Sequence, residues 1–283
     1  MTDLSHWAHS NKIGAGLRAG RPRMPKMPRL ALGNLSIPTG LILPVALLAA
    51  WYGVTAAHWL PEQILPAPGA VLAAFGTLVQ DGDLVRNLEI SLSRVAYGFA
   101  GGTLAGLLLG AGMGFSDSIA RFVRPTFLAI AQIPILAWLP FFMLLLGIGE
   151  ALKIVLVAKA VFTPVTLGTC AGIRAVPGRY LELARVLGLS RARTLRSVVL
   201  PAALPQLFSG FRYGLTHAWL SLVAVELLAS FEGVGYLMVY SRQLFQLDVM
   251  VAVMLVIALA GLLLDRVLAL GETWLGRRFG GAS

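Results

Sequence analysis

Six apolar runs of about 20 residues each, near 39–59, 95–115, 125–148, 151–172, 207–229 and 249–270, decide what this chain can fold into. A helix rises about 1.5 Å per residue, so about 20 residues cross a hydrocarbon core about 30 Å thick. In lipid the backbone must satisfy its own polar groups, which makes a helix the expected form of each run. Composition agrees: 57% of the 283 residues are hydrophobic and 13% charged, where soluble chains carry about 25% charged residues. The expected fold class is all-α, a polytopic membrane protein of about six transmembrane helices.

The distribution of charge sets the expected orientation. Net charge is +10, but the basic residues gather in segments flanking the apolar runs, not in a stripe interleaved with aromatics, so no nucleic-acid partner is expected. The tail 1–38 holds Lys12, Arg18, Arg21, Arg23, Lys26 and Arg29 against Asp3. The 116–124 turn holds Arg121 and Arg124 beside Asp117, and Arg277 and Arg278 follow the last run. Lysine and arginine mark cytoplasmic segments, so six spans place both termini inside. Residues 60–94 carry Glu62, Asp81, Asp83 and Glu89 against Arg86 and Arg94, and are expected as short amphipathic helices on the outer face. The domain reading is a basic cytosolic tail 1–38 at the inner leaflet, a transmembrane domain 39–272 with an elbow at 174–205, and a C-terminal tail 273–283. The long tail before the first run favours an uncleaved helix over a signal peptide. His6 and His9 lie three apart without further ligands nearby, so no metal is expected. Cys170 is the single cysteine and reads as a small buried hydrophobe.

Between the fourth and fifth runs lies a polar island, Pro177–Pro205. From Arg174 to Pro205 it contains six arginines (Arg174, Arg179, Arg185, Arg191, Arg193, Arg196) and one acid, Glu182. Pro177 is expected to start a short helix, because proline at the first helical position sacrifices no bond. Gly188 is expected to end it in the left-handed conformation, and Ser190 to cap the next. Pro201 and Pro205 are expected to stop or kink that second helix.

Within this island Glu182, Ala184, Gly188, Val198, Leu200 and Pro201 fall in the spacing E-x-A, three residues, G, nine residues, an aliphatic, any residue, L-P. The pattern resembles the "EAA" signature of permease subunits of bacterial ABC importers, with Leu183 where the signature has alanine. The stretches Ile64–Phe75, Ser91–Phe99, Pro134–Pro140 and Trp219–Ser230 resemble the aliphatic-sulfonate, taurine and nitrate branch. The resemblance covers about 60–270. It implies the type I ABC-importer permease (MetI-like) fold in a bacterial inner membrane. It also implies a coupling role for those six residues and a pathway formed with a second permease copy, most simply a homodimer. The implied partners are two ATPase subunits and a periplasmic or lipid-anchored substrate-binding protein. No cofactor is expected in this chain, since ATP and Mg would be bound by the ATPase. None of the four lysines stands in a P-loop, and no catalytic constellation appears, so the chain reads as a non-catalytic subunit.

The candidate pathway residues are Lys159, Glu226 and Gln132. A charge inside a span costs roughly 2.5–3.5 kcal/mol even on lenient scales, so such residues face the bundle interior or water. Lys159 can pair with Glu226, present positive charge to a passing anion, or snorkel to an interface. Gln132, Pro134 and Pro140 interrupt the third run, either as a kinked pathway-lining helix or as a packing kink. The glycines of the second run (Gly98, Gly101, Gly102, Gly106, Gly110, Gly112) read as a packing face. His217 beside Trp219 reads as a packed, hydrogen-bonded helix residue. Two rivals remain. An ion-gradient-driven secondary transporter would need coupling carboxylates, for which Glu226 and Asp265 are the candidates. A membrane-embedded enzyme would need acid or His/Asp clusters inside the spans, and none is seen.

Overall fold

The computed structural model describes residues 41–279, with side chains to 272. The expected tail 1–38, with His6 and His9, and the side chains of Arg277 and Arg278 lie outside that range. Contacts divide the chain into residues 1–47 and 48–283. The first helix, α1 (Ile42–Ala56), crosses that division. In the larger unit follow α2 (Pro68–Gln80), α3 (Asp83–Phe115), α4 (Asp117–Ala131), α5 (Leu139–Leu146), α6 (Glu150–Arg174), α7 (Gly178–Val186), α8 (Arg191–Thr194), α9 (Leu200–Ala229), α10 (Val234–Gln243) and α11 (Leu247–Phe279). No strand occurs among the described residues.

Three helices, α3, α6 and α11, are long and apolar enough to cross a membrane. Counting each of two bent pairs as one span raises the number to five: α4 with residues 135–146, bent by 92°, and α8–α9 with α10, bent by 41°. The expected first span, α1, has 15 residues, about 22 Å at 1.5 Å per residue.

α6 is the central helix, and glycine decides how closely it is approached. Gly98, Gly102, Gly106, Gly110 and Gly114 recur every fourth residue on α3, so they share one face. A Cβ on any of them would fall less than 3.0 Å from atoms of α6 such as Val157, Val161, Val165, Thr169 and Ile173. Gly101 and Gly112, counted with them from sequence, face open space or a single distant side chain. On its other side α6 meets α9, where Gly168 and Gly210 bring the two backbones together. Without a hydrophobic drive between helices in lipid, such close dispersion contact is what holds them. Trp219 of α9 then packs on Gly261 of α11 and donates its indole N–H to the Ile257 carbonyl at 3.1 Å.

Four local expectations need correction. Residues 83–94 are not a separate surface helix: α3 starts at Asp83, because Gly82 (φ 78) supplies the reversal after α2 and nothing interrupts the helix afterwards. The third run is not one kinked helix. α4 ends at Ala131, and Pro134 and Pro140 leave room only for a 3-10 turn, Ile135–Trp138, before α5. Pro177 precedes α7 as its N-cap, and Gly178 is the first helical residue. Pro201 and Pro205 do not stop the second elbow helix. A π turn at Leu195–Val199 absorbs Pro201, and the helix continues to Ala229 with Pro205 inside it.

Candidate functional site

The elbow is built from local rules. The Leu189 N–H bonds to the Ala184 carbonyl and the Gly188 N–H to the Arg185 carbonyl, both at 3.0 Å. That is the Schellman closure, six-to-one with five-to-two inside it, and it requires a left-handed residue at the second-last position. Gly188 supplies this at φ 66. The spacing A-x-x-x-G of the signature is therefore the spacing of this closure: Ala184 gives the accepting carbonyl and Gly188 the reversal. Ser190 then caps α8, its hydroxyl accepting from the Arg193 N–H at 3.4 Å. Ala184 is buried, whereas Glu182 is exposed and makes no ion pair among the described residues. Val198 is half-buried, Leu200 exposed and Pro201 half-buried at the start of α9.

The elbow also shows something the sequence reading missed. Tyr180, Leu183, Val186 and Leu187 form an exposed apolar stripe, with Val186 84% and Leu187 64% exposed. The signal was present as apolar residues at i, i+3 and i+4 from Leu183.

A second feature is a cavity of about 380 Å³ between the broken α4–α5 segment, α6 and α9. Lys159, Thr163, His217 and Ser221 bring polar groups to it, among Ile133, Pro134, Ile135 and Leu167. Lys159 donates to the Ile133 carbonyl at 3.0 Å, and its ammonium lies 5.3 Å from the centroid of the Trp138 ring. It has no carboxylate partner among the described residues. Pairing with Glu226 is therefore not what the structure shows. Gln132 is the C-cap of α4, one residue from this wall, and is not itself a lining residue. His217 is exposed and borders the cavity, which corrects the expectation of a packed, hydrogen-bonded residue.

Glu226 lies elsewhere, in a buried ionic knot. Its carboxylate accepts from Arg94 Nη1 at 2.7 Å, from Ser91 Oγ at 2.9 Å and from the Gly235 N–H at 3.0 Å. Arg94 grips Glu150 with its other nitrogens, at 2.7 and 2.6 Å, and donates to the Glu232 carbonyl at 2.8 Å. Lys153 closes the network on Glu150 at 2.9 Å. Two cations and two anions thus cancel where α3, α6, α9 and α10 meet. Burying charge is tolerable only with this degree of pairing. Asp265 is likewise held, by Arg212 at 2.7 Å. Both carboxylates that a proton- or sodium-coupled carrier would need are therefore committed to arginines. The importance of Arg94 was not read from sequence, although Ser91, Arg94 and Gly98 share one helical face.

Comparison with known proteins fits these features. Residues 102–280 match the family described as binding-protein-dependent transport system inner membrane component. The chain belongs to this family. Among relatives of the family, it is 36% identical over 233 residues to the putative aliphatic sulfonates transport permease protein SsuC of Bacillus subtilis, covering 82% of this chain and 84% of the other. Identity is 33% over 241 residues to the taurine transport system permease protein TauC of Escherichia coli, covering 83% and 84%. It is 30% over 268 residues to the nitrate import permease protein NrtB of Synechocystis, covering 92% and 95%. The binding-protein-dependent permease fold is also that of a chain from the inward-facing MetNI methionine ABC transporter, with TM-score 0.61, 18% identity, and 69% of this chain and 97% of the other covered. As an inner membrane component of this family, the chain is a transport permease subunit of an ABC importer.

Proposed function

We propose that this permease moves a small anionic solute, an aliphatic sulfonate, taurine or nitrate, into the cytoplasm, driven by ATP hydrolysis in a separate subunit. The observation that carries the reading is the elbow: a stiffly closed turn, Ala184–Gly188, presenting an exposed apolar stripe. Exposed apolar patches of this kind mark protein–protein contacts. Here the partner is the ATPase, which binds ATP and Mg, and the stripe seats in its groove. Glu182, Ala184, Gly188, Val198, Leu200 and Pro201 shape and anchor the elbow; Tyr180, Leu183, Val186 and Leu187 make the contact.

The remaining parts belong to the same reading. The elbow faces the cytoplasm, as do both termini. A second copy of this chain closes the cavity beside Lys159 into a pathway, and a substrate-binding protein delivers the solute at the opposite face. ATPase closure moves the elbows and re-exposes the pathway to the other side, so binding and state are reciprocally coupled. Lys159 belongs to the pathway wall, and Gln132 caps the helix that ends beside it. Glu226 serves the ionic knot instead.

The test is uptake by proteoliposomes holding permease, ATPase and binding protein. Internal MgATP should be required, and dissipating ion gradients should not stop transport. Uptake that follows an ion gradient with ATP absent would instead support a secondary carrier.

A further inference from the structure

The geometry points to an oxyanion subsite made by Lys159, Thr163 and Ser221, which opens past His217 into a second, uncharged station at Gln206, Ser209 and Tyr213. It rests on the transport reading above and adds the groups that would hold the solute. Three observations converge on it.

First, charge. Arg94, Lys153 and Arg212 each hold a carboxylate, whereas Lys159 has one carbonyl and an aromatic face. An ammonium has three N–H donors, so two remain for a ligand in the cavity.

Second, hydroxyls. In these helices Thr166, Thr169, Thr216 and Ser241 each return their hydroxyl to the carbonyl four residues earlier. Thr163 and Ser221 line the cavity and make no such bond among the described residues. Ser221 is only 6% exposed as a residue, and the surface it retains borders the cavity. A hydroxyl that spends no bond on its own helix keeps its donor for a ligand in the cavity. Thr163 stands four residues after Lys159, on the same face of α6, and Ser221 stands four after His217 on α9.

Third, continuity. An adjoining cavity of about 330 Å³ shares Pro164, Leu167 and His217 with the first, and brings Gln206, Ser209 and Tyr213. The charged station captures and the uncharged one releases, as conduction requires sites that are favourable to enter yet weak enough to leave. The apolar wall of Ile133, Ile135 and Leu167 beside the ammonium suits a monoanionic head bearing a short carbon tail, an alkanesulfonate in preference to bare nitrate.

The test uses the assembled importer with Cys170→Ala and Thr163→Cys. Labelling of the new thiol is timed with an anionic sulfonatoethyl methanethiosulfonate and with its cationic trimethylammonium counterpart. We expect Lys159→Met to shift the anion-to-cation rate ratio about tenfold towards the cation, as one unscreened charge a few ångströms away requires. Ethanesulfonate should slow labelling more than nitrate does, and Ser221→Ala should weaken that protection. A ratio that ignores Lys159→Met, or labelling that ethanesulfonate does not slow, overturns the subsite. Uptake of ethanesulfonate at wild-type rate in both Lys159→Met and Ser221→Ala overturns the subsite while leaving the transport reading intact. Failure of the wild-type importer to take up ethanesulfonate, taurine or nitrate overturns the anion reading itself, and the subsite with it.

Discussion

Arg94 Nη1 lies 2.7 Å from Glu226 Oε1, and both side chains are sealed from solvent inside the helix bundle. The pair is 132 residues apart in sequence and joins α3 to α9 at the point where α9 gives way to α10. Asn87 and Ser91 of α3 accept from the Gly233 and Val234 N–H groups at 2.7 and 3.0 Å, so the first N–H groups of α10 are satisfied by another helix. The knot therefore fixes the 41° bend.

Removing Arg94 alone leaves Glu226 buried without its counter-ion. Arg94→Met should destabilise the purified permease complex by about 3–5 kcal/mol, the usual consequence of stranding one partner of a buried pair. Arg94→Met with Glu226→Met should recover most of that loss. Thermal unfolding midpoints in detergent measure both, and equal midpoints for the single and double variants would contradict the pairing.

The glycine face of α3 gives a prediction with its own control. Gly102→Ala forces a methyl against the Ala158 carbonyl and Val161 and should cost about 1–3 kcal/mol, in the range of core overpacking. Gly101→Ala, one residue away and facing open space, should be within about 0.5 kcal/mol of wild type. Unfolding midpoints separate the two.

Gly188 adopts φ 66, where a Cβ is disfavoured by about 1–2 kcal/mol. Gly188→Ala should loosen the Schellman closure and lower uptake per ATP hydrolysed, leaving the unfolding midpoint of the bundle nearly unchanged. Ser190→Ala, which removes the α8 cap worth about 1 kcal/mol, should act in the same direction. Measuring uptake and ATP hydrolysis together in proteoliposomes checks both.

These positions also show what a sequence makes legible. The closure at Gly188 and the cap at Ser190 were readable because each depends on residues within one turn. The long apolar helices were readable because hydrocarbon solvent leaves them little alternative. Helix limits were harder: the continuity of α3 from Asp83 depends on Gly82 alone, and passage through Pro201 depends on a π turn that no local propensity announces. The partners of Glu226 and Lys159 were not readable at all. Each is set by which helix faces come together, and Arg94, Ile133 and Trp138 gave no local sign of where they would meet. The 92° break after α4 likewise follows from Pro134 and Pro140 acting together with the seat of the segment on α6.

The central claim is that force enters through the apolar stripe of the elbow, and Val186→Asp with Leu187→Asp tests it most directly. These side chains are exposed, so the fold has no stake in them. Burying two new carboxylates in a partner groove costs several kcal/mol each, which is enough to uncouple the subunits. In proteoliposomes containing ATPase and binding protein, the account predicts ATP-dependent uptake reduced at least about tenfold, with the unfolding midpoint of the isolated permease unchanged. Uptake at the wild-type rate with both aspartates in place would contradict it.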